Sequence, residues 1–174
     1  VISNPDDCFL GSHPLTGKET SGVTSYENNL FNKAVVLVTP TDKSNKILIK
    51  KISKFWKDMK CKVTVISSEL HDLVLSETSH LPHLVSFALV NIILNTKSIK
   101  NIKDYTGGGF RDFARLAHSD ALMWNDICMS NNQNIISSIN MLIKELSLIK
   151  TMVESNDKSL RLYLNRIKTK LDKK

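Results

Sequence analysis

The chain has 174 residues and a formal net charge of +7, with 41% hydrophobic and 24% charged residues. This length suits one ordinary domain, or one small domain with an appendage, and the proportions are those of a globular protein with a real core. The positive charge is scattered, apart from a local excess in residues 161–174. No aromatic residues are interleaved for base stacking and no nucleic-acid motif is present. The charge therefore favours solubility or attraction of an anionic substrate over nucleic-acid binding.

The three cysteines, Cys8, Cys61 and Cys128, are odd in number, widely spaced and form no CxxC pair. They predict reduced thiols in a cytoplasmic protein and argue against a disulfide framework or a zinc site. The longest apolar run, Leu84–Leu94, is too short to cross a bilayer, and no signal peptide is visible, so we expect no membrane association. Because the chain begins at Val1 and not at methionine, we expect a piece of a longer protein.

Residues 1–66 alternate between strand and helix patterns. In chain order they predict a strand end at 8–10, a loop at 13–22, a buried strand at Ala34–Thr39, a helix at Asn45–Met59 and a second strand at Cys61–Ile66. Thr41 or Ser44 is the expected N-cap of this helix, whose inner face is expected to carry Ile47, Leu48, Ile52 and Phe55 or Trp56. The order of strand, helix and strand predicts the end of an open α/β sheet.

Residues 67–174 are helical in pattern, so the predicted fold is mainly α with a small α/β remnant. The expected elements are a helix from a cap at Ser67 or Ser68 to about Asn95, a polar connection at 96–105, a helix after Gly107, a helix capped at Ser119-Asp120, a turn at Asn131–Asn134 and two helices separated at Ser155–Asp157. Pro82 predicts a kink or break near Thr78–Ser79. Leu142, Leu146, Ile149 and Val153 form a coiled-coil-like stripe that we expect to pack against a partner subunit.

The stretch Thr106–Trp124 runs three glycines into an amphipathic helix. Glycine lets a ligand approach the main chain closely. Arg111 and Arg115 are four residues apart and project from the same side of the helix. Two guanidinium groups beside a glycine loop can form a carboxylate site, because each planar fork pairs two oxygens. Ordinary surface ion pairs are the competing interpretation, and this stretch alone leaves it open.

Three histidines are candidates for chemistry. His13 lies in the predicted loop after a strand, and α/β folds place chemistry at the carboxyl ends of strands. His80 and His83 are three residues apart and could face one ligand. They could also bind a metal, but no third ligand has suitable spacing, so we expect no metal site.

Three motifs occur in one order: GSHPLTGKETSG at 11–22, HDLVLSETSHLPHLVSFAL at 71–89 and GGGFRDFARLAHSDALMWNDI at 107–127. Together they resemble the prephenate and arogenate dehydrogenase family of tyrosine biosynthesis, over nearly the whole chain. The resemblance implies an oxidoreductase that uses NAD or NADP, with an N-terminal Rossmann domain and a C-terminal helical domain that forms a homodimer. Residues 1–66 would then be the end of the Rossmann domain, and residues 67–174 the helical substrate-binding and dimerisation domain.

The implied reaction is the oxidative decarboxylation of prephenate to 4-hydroxyphenylpyruvate, or of arogenate to tyrosine. His13 matches the family's histidine that hydrogen-bonds the ring hydroxyl and takes its proton, which suits a group with a pKa near neutrality. Arg115 would pair with a substrate carboxylate, and His83 would also contact the substrate. The other matched positions are Glu19 at the pocket entrance, Gly108 beside the ligand, Arg111 and Asp112 in structural ion pairing near the site, and His80 in support.

Thr16, Lys18 and Ala114 depart from residues that are common in the family, which leaves prephenate and arogenate both open as substrates. In the family, the GxGxxG loop that binds the cofactor's pyrophosphate lies upstream of the His-Pro motif, where this chain has no such motif. We therefore expect little dehydrogenase activity from these 174 residues alone. The choice between NAD and NADP is open for the same reason.

Two other hypotheses remain. The chain could be a non-catalytic helical dimerisation or regulatory module from a split or truncated dehydrogenase. It could also be a dehydrogenase of the 3-hydroxyacid group, which the Lys-x-x-x-Asn spacing of Lys97 and Asn101 matches. His13, His83 and Arg115 together favour the catalytic interpretation, because a module that only forms dimers would not need them.

Overall fold

The computed structural model describes residues 9–16, 27–97, 100–156 and 158–173. Within these residues there are a three-stranded sheet and seven α-helices, one of which lies between the second and third strands. The elements are β1 (Gly11–Pro14), β2 (Val35–Thr39), α1 (Lys46–Asp58), β3 (Lys62–Val65), α2 (Ser68–Leu75), a π-helical segment (Ser76–His80), α3 (Leu81–Leu94), a 3₁₀ segment (Ile102–Tyr105), α4 (Gly108–Ala117), α5 (Ala121–Ser130), α6 (Asn132–Ser155) and α7 (Ser159–Asp172). The expectation of a mainly α fold with a small α/β remnant is confirmed.

The sheet is built around β2, which pairs antiparallel with β1 and parallel with β3. A parallel pair needs a crossover, and α1 provides it. Val36, Val38 and Cys61 form the buried core of this unit, and Trp56 of α1 packs against them.

The strands predicted at Ala34–Thr39 and Cys61–Ile66 and the helix predicted at Asn45–Met59 are confirmed to within a residue at each end. The strand end expected at 8–10 is wrong for residues 9 and 10, which precede β1. Ile47 and Phe55, expected on the inner face of α1, are more than half exposed.

The structure corrects the prediction that His13 lies in a loop. His13 is the third residue of β1 and lies opposite Leu37 of β2. The edge of β2 offers unpaired backbone groups, and a short strand ending in proline can pair with it, because proline is tolerated at a sheet edge. Gly11 lies directly against the Thr39 hydroxyl, where a Cβ atom would clash. The absence of a side chain at Gly11 therefore allows β1 to pair this closely.

Three of the seven described α-helices begin at a capping side chain. Ser67 Oγ accepts a hydrogen bond from Leu70 N–H at 3.1 Å, and Asp120 Oδ1 accepts one from Met123 N–H at 2.8 Å, so these two predicted caps are confirmed. The predicted cap of α1 is wrong. Asn45 Oδ1 accepts from Ile47 N–H at 2.7 Å, whereas Thr41 and Ser44 hydrogen-bond to each other.

The segments from α2 to α3 form one continuous helical run, Ser68–Leu94. The break expected before Pro82 takes the form of the π-helical segment, and Pro82 lies in the first turn of α3, where its missing N–H costs little. In the described part of the chain, this is the one helix with the length and composition of a membrane span, and 22% of its most apolar window is buried. The core helix of a soluble protein has the same properties. This run contacts α4 and α6.

The predicted turn at Asn131–Asn134 is wrong, because α6 already begins at Asn132. The side chain of Asn131 is used in tertiary contacts. Its amide donates to the Asp72 carbonyl at 2.7 Å and lies 3.3 Å from His80 Nδ1. Asparagine is common in turns because its side chain bonds locally, and here that side chain joins α2, the π-helical segment and the start of α6.

Many apolar side chains of the helices remain exposed. The break between α6 and α7 is confirmed at Asn156, which adopts a left-handed conformation with φ 49°. Along the predicted stripe of α6, Leu142 and Ile149 are half-buried, whereas Leu146 and Val153 are more than half exposed. An exposed apolar surface of this extent is typical of a protein interface.

Candidate active site

One cleft lies between the sheet and the helices and has a volume of about 540 Å³. This size is typical of sites for small metabolites. Its walls come from β1 and the residues that follow it, the C-terminal end of α2, the π-helical segment, and parts of α3, α4 and α5. The described lining residues are His13, Pro14, Leu15, Thr16, Leu75, Thr78, Ser79, His83, Arg115, Leu116, Ser119, Met123 and Trp124.

His13 is linked to α2 through a chain of hydrogen bonds. His13 Nδ1 lies 3.0 Å from His71 Nε2, and His71 Nδ1 lies 2.8 Å from Asp72 Oδ1. Burial, together with the nearby imidazole of His71, lowers the pKa of His13 below its usual 6.5. His13 is therefore mostly neutral at neutral pH, which is the state that can accept a proton.

His83 and Trp124 form another wall of the cleft. Their rings stack with centroids 4.1 Å apart, and His83 Nδ1 donates a hydrogen bond to the Ser79 carbonyl at 2.9 Å. His83 Nε2 is thereby the nitrogen available to a ligand. The buried indole Nε1 of Trp124 has no hydrogen-bond partner among the described residues. A buried donor without a partner is costly, so this position carries a free-energy penalty in the structure.

Arg115 is the cationic side chain in the described lining. It lies in the last turn of α4, the part of this helix that reaches the cleft. The described walls therefore combine one guanidinium with the imidazoles of His13 and His83. This set of groups favours a ligand that carries carboxylates.

Among the residues that the structure describes, the other predicted site residues do not line the cleft. Arg111 is one turn earlier on α4, and its guanidinium lies toward Gly108 instead, so the expectation of two arginines at one site is not met. Asp112 is exposed on the same helix. Glu19 lies outside the described residues.

His80 is buried behind the cleft. Its ring packs edge-on against Trp124 with centroids 6.0 Å apart, and His80 is not among the residues that line the cleft, whereas His83 is. The two histidines therefore do not face one ligand together, although they lie only three residues apart. Among the described residues, no three His, Cys, Asp or Glu side chains are grouped to hold a metal ion.

Sequence reasoning missed His71, Asp72, Ser79 and Trp124 as contributors to the site. His71 and Asp72 begin the second motif, Ser79 lies within it, and Trp124 lies within the third motif. The motifs thus held a signal, but helical spacing alone gave no reason to single out these four positions.

The lowered pKa values of two histidines, the exposed His13 and the buried His80, predict that stability falls at acid pH. Burial is the main cause that lowers the pKa of His80, and the pKa of His13 is lowered as well. Below pH 6.5 the unfolded chain therefore binds more protons than the folded one, so the free energy of unfolding decreases as pH falls. Urea unfolding at about pH 7.5 and about pH 5.5 measures this loss, which should be smaller in His80→Asn than in His118→Asn, a control at an exposed histidine. Equal losses in the two variants would contradict the role of His80.

Two family models together match nearly the whole chain. The model of the prephenate dehydrogenase nucleotide-binding domain matches residues 2–65, and that of the prephenate dehydrogenase dimerization domain matches residues 67–167. Among curated relatives, the chain is 34% identical to prephenate dehydrogenase of Bacillus subtilis (strain 168) over 86% of its length. It is 32% identical to cyclohexadienyl dehydrogenase of Zymomonas mobilis over 88% of its length. The chain spans 40% and 53% of these two relatives.

A solved structure agrees with these matches. The crystal structure of prephenate dehydrogenase from Aquifex aeolicus in complex with hydroxyphenyl propionate and NAD+ is 40% identical in sequence, with a TM-score of 0.86. The match covers 94% of this chain and 58% of that one. The fold, the cleft and the two consecutive family matches lead to one conclusion: the chain belongs to the prephenate dehydrogenase family.

Proposed function

We propose that this chain provides the substrate-binding and proton-accepting part of an enzyme that oxidatively decarboxylates prephenate or arogenate. The observation that carries the proposal is the cleft that holds His13, His83 and Arg115 together. These residues come from β1, α3 and α4, far apart in the sequence. Relatives with the names prephenate dehydrogenase and cyclohexadienyl dehydrogenase support the same reaction class.

The residues of the cleft suit distinct parts of such a substrate. Arg115 would pair with a carboxylate through its planar fork, while His83 Nε2, whose ring donates through Nδ1, would accept a hydrogen bond from the substrate. His13 would accept the proton of the ring hydroxyl as that carbon loses its hydride. Loss of the ring carboxylate as carbon dioxide then makes the ring aromatic. Because aromatisation drives the reaction, the protein mainly has to orient these groups.

NAD or NADP would accept the hydride. No glycine-rich turn leads from a strand into a helix N-terminus in the described ranges, so we assign none of these residues to the pyrophosphate of the cofactor. The nucleotide-binding family model nevertheless matches residues 2–65, which supports binding of such a cofactor by the enzyme. The choice between NAD and NADP stays open.

The other two hypotheses have less support. A module that only forms dimers has no need of a cleft lined by Arg115 and two imidazoles. For the 3-hydroxyacid group, the expected lysine and asparagine should lie on one helix, but Lys97 and Asn101 lie in the connection between helices. Asn101 also has a left-handed conformation, with φ 53°.

We also propose that residues 1–66 and 67–174 are separate domains, and that the second forms a homodimer. The dimerization-domain match and the exposed apolar residues of α6 and α7 support the dimer. A cytoplasmic location fits Cys61 and Cys128, which are both free thiols.

The dimer predicts a strong effect of charge on the exposed stripe of α6. Leu146→Glu should raise the dimer dissociation constant at least about tenfold, because a carboxylate in an apolar interface costs more than about 1.4 kcal/mol. Lys144→Glu is the matched control, because residues two apart on a helix project about 200° apart. Sedimentation over a range of concentrations measures both variants. If Leu146→Glu remains as dimeric as Lys144→Glu, the proposed interface is wrong.

The direct test of the function uses the protein expressed from the full reading frame that encodes this chain. Prephenate and arogenate are supplied separately with NAD or NADP, and reduced cofactor and carbon dioxide are measured. We expect reduced cofactor and carbon dioxide in equal amounts with at least one substrate. A folded, dimeric protein that is inactive with all four combinations would contradict the proposal and favour the module.

A further inference from the structure

We infer that His71 and Asp72 are positioning residues, which hold His13 in the tautomer that has its proton on Nδ1 and its lone pair on Nε2. This inference rests on the proposed function, in which the lone pair of His13 Nε2 accepts the proton of the substrate. The observation behind it is the continuous line of contacts from Asp72 Oδ1 through both rings of His71 and His13 into the cleft.

The direction of each hydrogen bond follows from the chemistry at one end of the line. An ionised carboxylate only accepts hydrogen bonds, so Asp72 requires the proton of His71 to be on Nδ1. Neutral His71 then has a lone pair on Nε2, which needs a donor. His13 Nδ1, at 3.0 Å, provides it. With its proton on Nδ1, His13 has Nε2 as the nitrogen that can accept a proton from a ligand.

The backbone of α2 keeps this pair in place. His71 N–H donates to the Ser67 carbonyl at 3.0 Å in the capped first turn. The carbonyl of Asp72 accepts a hydrogen bond from the Asn131 amide at 2.7 Å, as well as one from the N–H of Ser76. The side chain of His71 is only 20% exposed, which restricts its other rotamers. The neighbour of His13 is therefore fixed by secondary structure and by a contact from α6.

The pair also acts after the proton has been taken. Protonated His13 is a cation. Its Nδ1–H donates a hydrogen bond to His71 Nε2, and His71 Nδ1–H donates one to the Asp72 carboxylate. The hydrogen bond from His13 opposes rotation of the His13 ring about its side-chain bonds, as the aspartate of a Ser-His-Asp triad holds its histidine in orientation. It therefore raises the fraction of enzyme in which the base is ready.

Several charged or titratable groups surround His13. His71 and Asp72 face it from α2, His80 from the π-helical segment, His83 from α3 and Arg115 from α4. Of these, the imidazole of His71 is the one that contributes to the lowered pKa of His13, in addition to burial. Removal of His71 should therefore raise the pKa of His13 and move the acid limb of the kcat/KM profile to higher pH.

The test compares His71→Leu and His71→Gln in the protein from the full reading frame. A glutamine oxygen can take the place of Nε2 as acceptor, whereas leucine cannot. We expect His71→Leu to lower kcat by roughly 10–100-fold, a part of what general-base catalysis supplies, with little change in KM. His71→Gln should recover most of this loss. His118→Leu, which removes an exposed histidine outside the cleft, is the control.

The tautomer itself can be read by ¹⁵N NMR of the histidine rings without substrate. His13 should have its proton on Nδ1 in the parent protein and in His71→Gln, and should lose this preference in His71→Leu. A preference that survives in His71→Leu, or an unchanged kcat, would overturn the inference. If His71→Leu does not fold, Asp72→Asn replaces it, because its half-exposed site tolerates an amide that no longer fixes the His71 proton. Retention of the tautomer and of kcat in Asp72→Asn would overturn it equally.

The activity and NMR measurements together distinguish a failure of this inference from a failure of the proposed function. If the parent protein oxidises neither prephenate nor arogenate, the proposed function fails, while the NMR comparison still decides whether His71 sets the tautomer. If the parent protein is active but the variants keep both the tautomer and kcat, only the positioning role fails.

Discussion

His13→Asn is expected to lower kcat by about 10²–10⁴-fold, the range that a general base supplies. Asparagine can still donate a hydrogen bond to His71 Nε2 through its amide, but it cannot accept a proton at neutral pH. KM should change little, because the groups that bind carboxylates remain. Steady-state kinetics with the substrate that proves active measures both constants, with His118→Asn as the control. A kcat within about threefold of the parent value would show that His13 is not the base.

The pH profile gives a second reading of the same residue. A base works in its neutral form, and the pKa of His13 is lowered by burial and by His71. The kcat/KM of the parent protein should therefore rise with pH along a limb centred below 6.5, and stay level at neutral pH. A limb centred well above 6.5 would require a different base.

Arg115→Gln is expected to raise KM by about 10–100-fold, since a hydrogen bond to a charged group contributes about 1.5–3 kcal/mol. The amide of glutamine keeps the length and polarity of the side chain but removes the charge and the fork. The KM of Arg115→Lys should lie between those of the parent protein and Arg115→Gln, because lysine retains the charge without the planar pair of donors. The measurement is KM for prephenate and for arogenate in each variant.

Arg111→Gln is the matched comparison for Arg115. It makes the same change one turn earlier on α4, at a side chain that does not line the cleft. We expect KM to remain within about threefold of the parent value. If Arg111→Gln raised KM as much as Arg115→Gln, the carboxylate site would include both arginines, as their spacing on the helix had suggested.

The regular elements could be predicted because they have strong patterns. β2 is a run of β-branched residues that is buried within the sheet, and α1 begins at a capping residue and carries an apolar face. β1 has neither signal. It is a four-residue edge strand that contains a proline, and it exists because β2 offers an edge with which to pair. The local sequence cannot predict a strand that forms only because a neighbouring strand pairs with it.

The residues of the candidate site also fall into those that the sequence identified and those that it did not. His13, His83 and Arg115 could be chosen because the three motifs resemble a known family. The contact between His13 and His71 spans 58 residues and joins an edge strand to a helix, so no local spacing predicts it. His80 and His83 show the opposite case. Their spacing suggested one shared ligand, but His80 is buried against Trp124 and only His83 lines the cleft.

The most direct test of the central claim is a crystal structure of this protein with hydroxyphenyl propionate, the compound bound in the Aquifex aeolicus structure. We predict that the phenolic oxygen of the ligand lies within about 3 Å of His13 Nε2. We also predict the carboxylate on the wall formed by His83, Trp124 and Arg115. A ligand bound outside this cleft, or one whose phenolic oxygen lies away from His13, would contradict the claim that this cleft is the active site.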